Sequence, residues 1–438
     1  MVLEIAASIF STILPSKYYI HAALSVLVIV VVRAFAQGRS TNRERDLHAR
    51  VILVTGGFTP LGLTLIQALA QRGAHIIALS PSPIDSLETE VLIDLIRNTT
   101  SNENIFAEQC DLTSPTSVRA FCTRLLTAEE NRLDAIVFAH EYKQVGSVLS
   151  GGVGLEDFQK IRESGSMTTF LMITLLLPIL LVAPPERDIR IVNVVNPFYA
   201  AAVPSFSPNE AALLPKASST FVREGHRSLR MAVLTRHLQR VLDALPSAQV
   251  PKTDETAAHV VSDKLQRSNI VAITVSPGFS RSDTVSPLLG ADRDSPNYSS
   301  WRFALYLVLQ PFLRVLTKST NSALQSVLHV LFLPTPFKTG SSQAARAEEV
   351  LKPGALYSDC SVVRLNIPPL PASDAPKEEA KTKGEGESTG LPDDGELGGE
   401  MMGRLVWERF EERLKEWERS APPEEKKEKS VDPPSTDS

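Results

Sequence analysis

The stretch Val51-Ile52-Leu53-Val54-Thr55-Gly56-Gly57-Phe58-Thr59-Pro60-Leu61-Gly62 decides the fold. A short apolar run ends in two glycines, and apolar residues at helical spacing (Leu61, Leu65, Ile66, Leu69, Ala70) begin at once. Strand, tight turn and helix in that order aim backbone N–H groups at a point where a pyrophosphate can be held. Pro60 stands where a loop of this type carries its middle glycine, which removes one donor and sets φ at about −65°. Thr59-Pro60 is still a sound helix start, with threonine as cap and proline in the first turn.

Outward from this stretch the pattern repeats. Short apolar runs at Val51–Thr55, His75–Leu79, Asn104–Glu108, Ala135–Ala139, Ile189–Val195 and Ile270–Val275 are candidate strands. Helical patterns lie between them, among them Leu61–Arg72 and Ser117–Leu126, the latter started by Ser114-Pro115. The alternation predicts an α/β fold with a doubly wound parallel sheet, buried on both faces, in a domain over residues 50–366. Met167–Ala183 is apolar, carries Pro178 and sits between two candidate strands, so a helix packed on the sheet is expected. Leu305–Leu333 is broken by Arg314, Lys318, Ser319 and Asn321. It reads as two core helices, with in-plane contact with a bilayer as the alternative.

Residues 18–36 read as a transmembrane anchor. Ala22–Val32 is almost unbroken Ala, Leu, Val and Ile, and Arg33 is the only charge. The length approaches the roughly 20 residues a bilayer core requires. A cleavable signal fits less well, because the apolar run starts late, lacks a basic region before it and has no clean cleavage site. Arg33, Arg39, Arg43, Arg45 and Arg50 follow the span, whereas Lys17 stands nearly alone before it. Residues 1–17 are therefore expected in the lumen, 37–49 form a basic linker, and the large domain faces the cytosol. The endoplasmic reticulum is the expected membrane. On this topology the sequons Asn98-Thr99-Thr100 and Asn297-Tyr298-Ser299 carry no glycan.

Residues 367–400 and 420–438 are rich in Pro, Glu, Lys, Gly and Asp and are expected to be disordered. Between them, over 401–419, Met402, Val406, Phe410, Leu414 and Trp417 recur at helical spacing. An amphipathic helix on a tether follows, docking back on the domain or gripping a protein partner or membrane. A net charge of −5 offers no footprint for nucleic acid. Cys110, Cys122 and Cys360 have neither metal spacing nor a disulfide framework and read as small buried hydrophobes. No metal site is expected.

Over roughly Arg50–Asn366 these residues resemble the short-chain dehydrogenase/reductase superfamily, with the matches in the superfamily's order. Thr55, Gly56, Gly57 and Gly62 resemble its cofactor loop. Asp111, in Cys110-Asp111-Leu112-Thr113, is similar to the aspartate that meets the adenine. Ser276-Pro277-Gly278-Phe279 resembles the segment closing over the nicotinamide, with Ser282 where a threonine often contacts it. Leu316-Thr317-Lys318-Ser319 and Gly354–Cys360 are similar to the C-terminal region of membrane-anchored members. The anchor and acidic tail further resemble a fungal family of unknown function that includes a yeast oxidoreductase. The resemblance implies a Rossmann fold, an NAD(P) cofactor and homodimerisation through the Met167–Ala183 helix.

The superfamily's chemistry uses a tyrosine that transfers the proton, a lysine four residues later and a serine that orients the carbonyl. Of seven tyrosines only Tyr298 has a basic residue, Arg302, four positions on, and it lies beyond Pro277-Gly278. Asn196, ending Ile191-Val192-Asn193-Val194-Val195-Asn196, stands at the serine's place and can still donate to a carbonyl. Phe138-Ala139-His140-Glu141 replaces an Asn-Asn-Ala-Gly segment, and Gly165 stands where another asparagine is expected. On the helix expected over Glu224–Leu242, one register puts Glu224 and Ser228 at the tyrosine and lysine positions. Another puts His226 and Arg230 there, as acid and ribose-binding cation; His140 is a further candidate. Ser80-Pro81-Ser82 after the second strand supplies neither the acid that selects NAD nor a base. The expected cofactor is NADP or none. The expectation is a membrane-anchored binding or scaffold protein lacking the standard catalytic set. The alternative is an NADP-dependent oxidoreductase acting on a lipid or sterol-like carbonyl or alcohol.

Overall fold

A computed structural model describes residues 18–84, 86–128, 132–149, 155–184, 187–207, 219–245, 268–295, 298–335, 349–368, 393 and 395–420. The expected luminal segment 1–17, the sequon residue Asn297, and most of the two polar tail stretches lie outside the described residues.

Strand β1 (Val51–Thr55) is buried at Ile52, Leu53 and Val54 because the chain covers both of its faces. Ile52 and Val54 pack with Leu65, Leu69, Val327 and Leu331, while Leu53 packs on the other face with Phe121, Leu176 and Ile191. The remaining strands are β2 (His75–Ser80), β3 (Ile105–Gln109), β4 (Ala135–Phe138), β5 (Ile189–Val194), β6 (Ile270–Ser276), β7 (Leu356–Ser358) and β8 (Ser361–Val363). Among the described residues they form one sheet in the order β3-β2-β1-β4-β5-β6-β7-β8. All neighbours are parallel except β7 and β8. The winding reverses between β1 and β4, where Thr55 pairs with Phe138. Ligands bind in the crevice at the carboxyl ends of the strands at such a reversal.

The expected strands are all present, each within a residue or so of its predicted ends. The hairpin β7–β8 was outside the sequence reading, since three-residue strands leave no periodic signal. Its turn residues Asp359 and Cys360 both take positive φ, 50° and 57°, the conformation of a tight two-residue hairpin turn.

The longer helices are α1 (Tyr19–Gln37), α2 (Pro60–Ala70), α3 (Leu87–Thr100), α4 (Pro115–Thr127), α5 (Leu155–Val182), α6 (Thr220–Ala244), α7 (Ser300–Leu316), α8 (Thr320–Phe332) and α9 (Gly399–Ser420). The apolar part of α5 packs on the sheet through Leu171, Met172, Leu176 and Leu180, as expected of a core helix. Helix α1 has the same mean hydropathy, 2.1, as residues 160–182 of α5, and both are long and apolar enough to cross a membrane; α1 differs in that none of its residues is buried.

The two-core-helix expectation for Leu305–Leu333 holds for only one of the pair. Helix α8 buries Ala323, Leu324, Val327, Leu328 and Leu331, whereas α7 buries nothing. Both are apolar; what separates them is that α8 faces α2 across the sheet's flank and α7 lies at the rim.

The basic stretch from the linker into the first strand is partly structural. Arg45 pairs with Asp188 at 2.8 Å and Arg50 with Asp134 at 3.0 Å, both carboxylates almost fully buried. Burial pushes the Asp188 carboxyl up, but the Arg190 and Arg45 guanidiniums outweigh it and hold the group below the usual range. Cys110 and Cys122 are buried and unpaired, their thiols pushed up by burial to about 11 and about 12, which leaves them inert.

Helix α9 docks on the domain. Met402, Val406 and Phe410 are buried, and Phe170 of α5 lies 5.0 Å from the Trp407 ring and 5.5 Å from Phe410. Arg240 closes the contact on Asp393 at 3.1 Å and Glu400 at 2.9 Å. The face of α5 around Met167 and Phe170 is thus covered by the chain's own C-terminal segment.

Candidate active site

The glycine turn between β1 and α2 is formed. Gly56 has φ +65°, and a Cβ there would sit 2.7 Å from the His140 backbone. A Cβ on Gly62 would come within 2.1 Å of the Gly56 carbonyl oxygen, so no other residue fits. Thr59 caps α2: its Oγ1 accepts from the Gly62 N–H at 3.1 Å and its hydroxyl donates to Gly56 O at 2.8 Å.

The donors at this helix start are all engaged internally. Pro60 has none, and the Leu63 N–H bonds Thr59 O at 2.8 Å. The Leu61 N–H donates to Asp283 Oδ1 at 3.0 Å. Asp283 arrives on the loop after β6, fully buried, and its other oxygen accepts from the Ser280 and Ser282 hydroxyls, each at 2.9 Å. A carboxylate therefore occupies the place where a helix N-terminus holds an anion. Burial pushes this carboxyl up, partly offset by the Leu61 N–H and the two serines. Tested against a pyrophosphate, the helix start does not fit: the Leu61 and Gly62 N–H groups are taken, and Asp283 adds negative charge at the point of contact.

Pro277 and Gly278 sit beside this loop. Gly278 has φ +94°, and its carbonyl accepts from the Tyr142 hydroxyl at 2.7 Å. Burial raises the Tyr142 phenol well above its ordinary value, so it is a brace for the loop and no proton shuttle at neutral pH. Lys318 Nζ donates to Pro277 O at 2.8 Å and pairs with Asp359. Ser282 is committed to Asp283 and lies 3.2 Å from Thr320 Oγ1.

Thr55 and His140 meet across β1 and β4. The His140 Nε2 lies 3.0 Å from Gly165 O, and its Nδ1 lies 2.8 Å from Thr55 Oγ1. A carbonyl only accepts, so Nε2 carries the proton and Nδ1 accepts from the threonine. Burial lowers the imidazole's pKa, keeping it neutral. His140 is a buried link between strand, loop and α5.

Helix α6 decides between the two registers left open by the sequence. Glu224 faces Asn196, whose Nδ2 donates to its Oε2 at 3.5 Å; Oε1 accepts from Gly146 N at 2.9 Å. Glu224 also pairs with Arg162 and lies 3.5 Å from Arg227 Nη2. Ser228, one turn on, is buried, and its hydroxyl has no hydrogen-bond partner among the described residues. His226, two residues from Glu224, points to the far side of the helix, where its ring stacks on Phe206 at 5.8 Å and Nε2 lies 3.1 Å from Ser205 Oγ. Arg230 lines a groove under α9 with Glu163, Met167, Arg409 and Phe410. The structure brings Asn196 together with Glu224, and not with His226 or Arg230.

Asp111 is exposed beyond β3, its Oδ1 accepting from the Thr113 N–H at 2.9 Å and hydroxyl at 2.8 Å. Ser80 is buried and caps its own turn through Ser82 N at 3.1 Å. Sequence reasoning missed Asp283 and Arg162. Asp283 was signalled by an acid directly after Ser282; Arg162 had no signal, since its contact with Glu224 is set only by how α5 packs on α6.

A KR domain model matches residues 51–150. The uncharacterized oxidoreductase pbr1 of Schizosaccharomyces pombe is 27% identical over 322 residues, covering 72% of this chain and 78% of that protein. An uncharacterized oxidoreductase of Saccharomyces cerevisiae is 27% identical over 368 residues, covering 78% and 79%. Human retinol dehydrogenase 12 is 24% identical over 69% of this chain and 80% of its own length. A short chain dehydrogenase from Escherichia coli CFT073, solved in complex with NADPH, aligns with a TM-score of 0.44 at 15% identity, covering 72% of this chain and 98% of that one. With the motifs in order around a sheet that reverses between β1 and β4, the chain is short-chain-dehydrogenase/reductase-like, similar over residues 51–150 to the KR domain and over most of its length to two fungal oxidoreductases.

Proposed function

We propose that this chain is a membrane-anchored member of the short-chain dehydrogenase/reductase superfamily that has given up the standard proton-transfer set and serves as a binding or scaffold protein. Its anchor is Tyr19–Gln37, and its large domain faces the cytosol, at the endoplasmic reticulum. The observation that carries the reading is Asp283 on the Leu61 N–H, with Glu224 locked by Arg162 where the superfamily has its tyrosine. Glu224 is committed to Arg162, Arg227, the Gly146 N–H and Asn196, and it replaces a phenol with a carboxyl tied into the chain. Ser228 at the lysine position supplies no cation. Protein partners reach the chain through the outer face of α9, and self-association through α5 requires α9 to lift away.

A second reading, an NADP-dependent oxidoreductase on a lipid-like carbonyl or alcohol, is favoured by the names of the two fungal relatives and of retinol dehydrogenase 12. It requires Asp283 to leave the Leu61 N–H, with Thr55, Gly56, Gly57, Gly62, Asp111, Pro277, Gly278 and Ser282 then lining the cofactor site. NADPH oxidation by the full chain in lipid nanodiscs, with lipid-soluble aldehydes and ketones, separates the two. No turnover is expected; substrate-dependent turnover abolished by Glu224→Gln establishes the second reading instead.

A further inference from the structure

Helix α7 is apolar in a way the fold does not use. It has no buried residue and no acidic one, and exposes Trp301 at 60%, Leu307 at 52%, Val308 at 72%, Phe312 at 66% and Leu316 at 62%. Trp301, Val308, Phe312 and Leu316 form one stripe along the helix, with Leu307 to one side of it. The opposite side is tied to the rim of the crevice: the Tyr306 hydroxyl donates to Arg281 O at 3.3 Å, and Arg302 Nη2 to Leu149 O at 2.6 Å. The next residues continue into the site, since Lys318 N donates to Phe279 O at 2.9 Å.

The same helix end holds the end of α1. Gln37 Nε2 donates to Thr317 O at 3.0 Å, and Gln37 Oε1 accepts from Ser319 N at 3.1 Å and the Ser322 hydroxyl at 2.7 Å. Arg33 Nη1 reaches Arg314 O at 3.3 Å. The point where α1 leaves the bilayer is thereby fixed against the carboxyl end of α7. A protein partner on the exposed stripe would have to share the space beside an apolar helix that itself has no buried residue.

We propose that α7 lies in the surface of the bilayer, its Trp301–Phe312 stripe among the acyl chains, and seats the rim of the crevice on the membrane. The proposal rests on the reading of α1 as a membrane span. An apolar face with a tryptophan at one end and an arginine at the other is the make-up of an interfacial helix, the indole ring beneath the headgroups among the upper acyl chains and the guanidinium on phosphate. Placed so, the loop after β6 faces lipid, and a molecule dissolved in the bilayer reaches the rim without crossing water.

The chain has three tryptophans, Trp301, Trp407 and Trp417, which makes the proposal measurable. The full chain carrying Trp407→Phe and Trp417→Phe is reconstituted in phosphatidylcholine vesicles with brominated acyl chains. Trp301 emission is expected to fall by at least half relative to unbrominated vesicles, with little further loss to aqueous iodide. Flotation with the vesicles but emission quenched by iodide and not by bromine overturns the proposal and leaves the anchor standing. Insensitivity to both quenchers means a protein covers the stripe and also overturns it. Failure to float removes the anchor as well. Should the double variant not fold, Trp301→Phe alone, at an exposed position, is expected to abolish most of the bromine-sensitive emission of the native chain; unchanged sensitivity contradicts the proposal.

Discussion

At the residue scale, the site is governed by one contact between residues 222 apart in sequence, Asp283 and the Leu61 N–H. Replacing Asp283 by Asn removes a negative charge from a helix N-terminus and leaves a group the pyrophosphate can displace. NADPH affinity is expected to rise about tenfold, the effect of roughly 1.4 kcal/mol of relieved repulsion; calorimetric titration of both chains measures it, and equal affinity refutes the assignment. Asp188 acts the other way on stability. Its carboxyl is held below the ordinary range, so its contribution is full above the unfolded value of about 3.9 and is lost as pH falls through the depressed folded value. Asp188→Asn strands Arg190, 2% exposed, and is expected to cost about 3–5 kcal/mol at neutral pH, with a smaller difference in acid. Denaturant unfolding at several pH values tests the sign. The glycines and the Pro277-Gly278 pair were legible because their conformational demands are local. Asp283 on Leu61 and Arg162 on Glu224 were not, because each pairing exists only once distant elements are packed.

At the scale of elements, the strands announced themselves as short apolar runs, and a doubly wound parallel sheet followed from their alternation with helices. What composition could not separate was α7 from α8. The two are adjacent and apolar, and only the packing of α8 on α2 makes one a core helix and leaves the other at the rim. The amphipathic spacing of α9 was legible, but its seat over Phe170 was not, since the same stripe suits any apolar partner. That seat has a measurable consequence: Phe410→Ala removes a buried ring and is expected to cost about 3–5 kcal/mol. A change under about 1 kcal/mol in denaturant unfolding would mean that α9 spends its time off the domain.

At the scale of the whole molecule, α1, α7 and the loop after β6 form one continuous assembly. Gln37 links the membrane-length helix to Thr317 and Ser319; Lys318 links that junction to Pro277, and Asp283 links the same loop to the glycine turn. The architecture of the sheet is intact, while the Leu61 and Gly62 N–H groups at the helix start are spent within the chain. The most direct test of that claim is NADPH titration of the unaltered full-length chain in nanodiscs at neutral pH. The account expects no saturable binding tighter than about 1 mM, with measurable affinity appearing in Asp283→Asn. Micromolar binding by the native chain would contradict it.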